Sequence, residues 1–241
     1  MRRKVTRAFA AGIVLAIAAA ACSSTSSSTT TGPAASSSTM PTATGSMDHP
    51  MEPMAINEGA SGLQQTLTDL LGSHVYLASI AISTGLSAGL DSPEFAAAAG
   101  TLDQNSQDLA AAVGSVYGDD ANKQFLALWR KHIGFFVDYT QGKATGDDQM
   151  ATKALKALDG YRADFAAFIE SATDGELPAD ATAAALQMHV NSLVDAIDAA
   201  VASKADVFDA IYAAATPHMK DTATALAGAI AAQMPEQFPT S

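Results

Sequence analysis

Residues 63–81 read LQQTLTDLLGSHVYLASIA. Leu63, Leu67, Leu70, His74, Leu77 and Ala81 follow one another at spacings of three and four, which puts them on one face of an α-helix. Long stretches rich in Ala and Leu continue this helical pattern towards the C-terminus. Runs of β-branched residues are few and no Asn-Gly hairpin turn occurs, so strand signals are nearly absent. The sequence therefore predicts an all-α fold.

Punctuation divides the pattern into about six helices. Ser92-Pro93 offers a cap and a first-turn proline for a second helix, and Tyr117-Gly118 offers its stop. A third is expected from a cap at Asp119 or Asp120 to near Gly142, with Phe125, Leu128, His132, Phe135 and Tyr139 on one face. A fourth runs from about Asp147 to Ser171 and closes at Asp174-Gly175, and a fifth from about Pro178 to Ser203. The sixth covers roughly Asp206 to Met234 with a break at Thr216-Pro217, because an interior proline removes a hydrogen bond.

A weak repeat underlies this order. His74, His132 and His189 recur at nearly equal intervals, and Asp103, Tyr161 and His218 each follow one of them at the same fixed distance along the chain. The pattern reads as three antiparallel helical hairpins, descended from one duplicated unit and packed as a single up-down bundle over residues 62–241.

What precedes the bundle has a different character. Residues 1–21 combine a basic start (Arg2, Arg3, Lys4, Arg7) with an apolar run from Ala8 to Ala21, too short for an ordinary membrane span. They read as a signal peptide. Ala19-Ala20-Ala21-Cys22 resembles a bacterial lipobox, with Ala19 where Leu is usual, which would make Cys22 the acylated first residue of the mature protein. The alternative is a plain secretory signal beside an incidental Cys. Residues 22–61 form a linker, whose Ser, Thr, Ala, Gly and Pro bury too little apolar surface to offset their ordering entropy. The expected location is exported and anchored by lipid on the outer side of the cell membrane.

Charge and motif content exclude several functions. Four of the 13 basic residues fall in the leader, so the rest of the chain carries 9 basic against 25 acidic residues, a formal charge of −16. Nucleic acid rewards basic patches, so it is not the expected partner. The single Cys rules out a disulfide framework and Cys-rich metal sites. No Glu-x-x-His tetrad, His-Glu-x-x-His or Gly-x-Ser-x-Gly occurs. Glu94, Glu170 and Glu176 lie near helix ends, so paired-carboxylate chemistry has no evident home and an enzyme is the less favoured reading.

Two groups of residues could hold a metal. His74, His132, His189 and His218 lie in or beside apolar stripes, where an imidazole needs a partner for its ring nitrogens. That partner is either a metal or a hydrogen-bonding group, with Asp103 and Tyr161 the natural candidates for the latter. In the linker, Met47, His49, Met51 and Met54 gather thioethers and an imidazole where there is no core to fill. Soft sulfur favours Cu(I) and imidazole suits either copper state; the competing view is a linker whose methionines are accidental.

Further strings recur along the chain: LGSHVYL at 71–77, Leu102-Asp103-Gln104-Asn105, Leu128-Trp129-Arg130-Lys131-His132-Ile133, Met188-His189-Val190, His218-Met219 and Gln233-Met234-Pro235-Glu236-Gln237-Phe238. Together they resemble the secreted all-α lipoproteins of Gram-positive bacteria labelled copper amine oxidase-like. The resemblance covers about residues 63–238 and implies copper. It does not carry amine oxidation with it. Enzymes of that name are large and β-rich and build a quinone from Tyr in an Asn-Tyr-Asp/Glu string, whereas Val137-Asp138-Tyr139-Thr140 lacks the Asn and sits on a predicted helix. Two functions follow: an envelope lipoprotein that binds copper for storage, buffering or delivery, or a metal-free helical interaction module with structural histidines.

Overall fold

A computed structural model describes residues 59–238. The leader, Cys22 and the string containing Met47, His49, Met51 and Met54 lie outside the described residues. Among those described there are seven α-helices and one π-helical turn, and no strand. The helices are α1 (Gly59–Ala88), α2 (Pro93–Tyr117), α3 (Asp119–Thr145), α4 (Asp148–Ala172), α5 (Ala179–Val201), α6 (Val207–Ala213) and α7 (Met219–Gln233), with the π turn at Ala214–His218.

Local chemistry sets most boundaries as expected. The Ser92 hydroxyl accepts from the Phe95 amide at 3.1 Å, and Pro93 opens α2. Asp147 caps α4 by accepting from the Met150 amide at 2.9 Å. The start of α3 differs: Gly118 is its cap, and Asp119 and Asp120 lie inside the first turn, where their charge favours the positive end of the helix dipole. The end of α3 also differs. Gly142 does not stop it; the helix runs on to Thr145 and ends at Gly146, whose φ of +72° only glycine adopts without strain. Gly142 instead permits close approach, since a Cβ there would stand 2.6 Å from the Ala151 amide nitrogen.

The predicted break at Pro217 takes a particular form. Proline cannot donate to the preceding turn, and the chain accommodates it by widening into a π turn. The small residues Ala214 and Ala215 are buried there, and the Ala215 carbonyl approaches Gly72 of α1.

Consecutive helices pack on one another from α1 to α5, and α7 closes back against α1. In addition, α1, α3 and α5 face each other across the core. The main cluster combines leucines of α1 (Leu63, Leu67, Leu71) with the aromatic column Phe125, Trp129, Phe165 and Phe168. The buried face of α3 is turned slightly from the one expected: Trp129 and Phe136 are buried and Leu128 and Phe135 only half-buried. The indole takes the deeper position in place of the leucine because it removes more apolar area from water.

Candidate metal centre

His74, His132 and His189 fall near the middle of α1, α3 and α5. Because these three helices face one another, mid-helix positions meet at the same depth. All three histidines are buried, with exposures of 1%, 3% and 6%. One ring nitrogen from each lies within 4.8 Å of the other two. The His74 and His132 Nε2 atoms are 3.3 Å apart.

The fourth helical histidine is placed differently. His218 is half-buried at the end of the π turn, with its ring stacked on His189 at 5.8 Å between centroids and 13° between planes. It borders the cluster without belonging to the close set.

Hydrogen bonding accounts for the three imidazoles only in part: the Nε2 atoms of His74 and His132 lie within hydrogen-bond distance of each other. Nδ1 of His74, His132 and His189 is buried in each case without a partner. Asp103, one of the two expected partners, turns to the surface and grips Arg130 at 2.6 and 2.7 Å. Tyr161, the other, lies 5.2 Å from His132 between ring centroids, but its hydroxyl is also unpartnered. Asn105 lies beside His74 and favours its protonated form, yet Asn105 Oδ1 and His74 Nδ1 stop short of a hydrogen bond. Asn105 is held by donating to the Leu70 carbonyl at 3.1 Å. Helical spacing did not single out this residue, nor Trp129, whose ring wedges against His74 and His132 at 4.9 and 4.6 Å; both stood in the sequence only within the strings at 102–105 and 128–133.

Burial dictates the protonation state. It lowers the pKa of His74 to about 4 and that of His189 to about 3, and the neighbouring imidazoles push His189 the same way. His132 is held well below the usual range by burial and then by His74 and His189. The more open His218 is lowered by burial, against an opposing pull from Asp221. All four rings are therefore neutral at pH 7, the state that binds a metal.

These residues fit an ion. Two nitrogens bound to one metal at about 2.0–2.1 Å stand roughly 3.3–3.6 Å apart at tetrahedral or trigonal angles, which matches the His74–His132 spacing. The Nε2 atoms of His74 and His132 face each other, while the outer hydrogen bond that usually orients a metal-binding histidine through its other nitrogen is not made. His74, His132 and His189 could thus hold one metal ion.

Two cavities adjoin the cluster. One of about 130 Å³ touches His74 and His132 and has the Asp103–Arg130 pair in its wall. The other, about 180 Å³, touches His132, His189 and His218 and is otherwise lined almost wholly by apolar residues. Interiors are normally close-packed, so a largely apolar space of that size stands out. Comparison of the chain with protein-family models, with curated proteins and with solved structures gave no match.

Proposed function

We propose that the protein is an exported, lipid-anchored copper-binding bundle that holds Cu(I) on His74, His132 and His189 for storage, buffering or delivery. The observation that carries this reading is the meeting of three buried, neutral imidazoles that bring one ring nitrogen each within 4.8 Å of the other two.

The choice of ion rests on charge. The desolvation cost of an ion grows with the square of its charge, and the interior around the cluster supplies no free carboxylate to offset it. Asp103, in the wall of the smaller cavity, is already paired with Arg130. A monovalent ion suits three neutral nitrogen ligands better than a divalent one. Bound there, copper would be shielded from water by Trp129, Phe136 and Tyr161, which favours retention over turnover. Met47, His49, Met51 and Met54 would serve as an outer loading segment, and Cys22 as the acylated anchor.

Copper retention tests the assignment. Protein loaded with Cu(I) under reducing conditions and exchanged against a competing chelator should keep near-stoichiometric metal and melt at a higher temperature than the metal-free form. Replacement of Met47, His49, Met51 and Met54 by Ala should leave the buried ion in place. His132→Leu should release it. Full retention in a folded His132→Leu protein, or a parent chain that returns empty, would eliminate the site.

A further inference from the structure

We infer that the larger cavity is a binding site for a small, uncharged aromatic molecule carrying a hydroxyl group, in chemical class a short-chain alkylphenol. Size comes first. At about 180 Å³ the space slightly exceeds the roughly 150 Å³ engineered cavity that takes up benzene. A single ring with a short substituent therefore fits it.

The walls define the polarity. Phe125, Trp129, Phe165 and Phe168 surround the space and offer faces and edges to an aromatic guest. No Asp, Glu, Lys or Arg lines it, so an ammonium or carboxylate would be stripped of water with no opposite charge to meet it. The guest is neutral.

Its polar group follows from unmet hydrogen bonds. Tyr161 and Thr182, 5% and 8% exposed, both belong to this wall, and neither hydroxyl has a partner. The Trp129 indole N–H, in the same wall, is likewise unpartnered. A guest hydroxyl accepts from the indole N–H and can both accept from and donate to a Tyr or Thr hydroxyl, whereas a carbonyl can only accept and a C–H group does neither.

Binding of this guest does not rest on the copper reading, and the test is run with a metal chelator present so that the two fail separately. The purified chain is titrated with 4-ethylphenol, ethylbenzene, 4-ethylbenzoate and 4-ethylbenzylammonium, followed by calorimetry and melting temperature. Expected is stabilisation by both neutral probes, about tenfold tighter binding of the phenol, and no shift with the two ions. Tyr161→Phe and Thr182→Val keep the shape of the wall, so both variants should fold and bind ethylbenzene as before. The advantage of the phenol should vanish in at least one of them. A cavity that accepts neither neutral probe, holds both equally, takes the ions as well, or keeps its preference in both variants overturns the inference.

Discussion

Acidifying the metal-free protein from pH 7 to pH 5 should remove a large part of its stability. In the unfolded chain an imidazole titrates near 6.5, whereas burial lowers the folded values to about 4 for His74 and about 3 for His189. Below 6.5 the unfolded state therefore binds protons that the folded state refuses, so stability is fully present above about pH 7 and falls as the pH drops towards 4. At pH 5 each of these two groups has cost about 2 kcal/mol relative to neutral pH. His132 and His218 add loss in the same direction. A total above about 4 kcal/mol is a large share of the roughly 5–15 kcal/mol that holds a domain together. Most carboxylates titrate lower, so this window belongs to histidine. Urea unfolding in the presence of a chelator at pH 7, 6 and 5 measures the effect directly. His189→Leu should reduce the loss by about 2 kcal/mol. Unfolding free energies that stay level from pH 7 to 5, or a His189→Leu protein with the same slope as its parent, would refute the burial of neutral imidazoles.

Three substitutions probe the frame around the site. Tyr161→Phe removes a buried hydroxyl with no partner and should leave stability unchanged or raise it by up to about 1 kcal/mol; a clear loss on urea unfolding would mean that the hydroxyl is bonded. Gly142→Ala puts a methyl group 2.6 Å from the Ala151 amide nitrogen and 3.0 Å from the Asp147 carbonyl, so α3 and α4 must part, at about 1–3 kcal/mol. An unaltered melting temperature would contradict that close approach. Arg130→Gln breaks a bidentate pair whose side chains are about half exposed, and should cost less than about 1 kcal/mol at low salt and still less at high salt. A larger cost independent of salt would show that the pair secures the smaller cavity.

The clustering also reframes the repeat. The near-equal intervals between His74, His132 and His189 place one histidine near the middle of each of three long helices, and the packing of α1, α3 and α5 turns equal depth into contact. The residues that follow them at the second fixed interval diverge instead: Asp103 goes to a surface ion pair, Tyr161 to the wall of the larger cavity, and His218 onto His189.

The sequence by itself determined the all-α class, most helix boundaries and the residues able to carry metal chemistry. Those features depend on interactions within a few residues: the three-and-four spacing of Leu63 and Leu67, the Ser92 and Asp147 caps, and the proline that breaks the last helix. Local spacing could not fix the depth of α3, where Leu128 and Trp129 are both apolar and only competition for space in the interior put Trp129 inside. Nor could it distinguish three scattered histidines from one centre. Convergence depends on which helices face each other and at what height, which long-range packing alone decides. The unpartnered hydroxyls of Tyr161 and Thr182 have the same origin, because a polar atom is orphaned by what surrounds it in space and not by its neighbours in the chain.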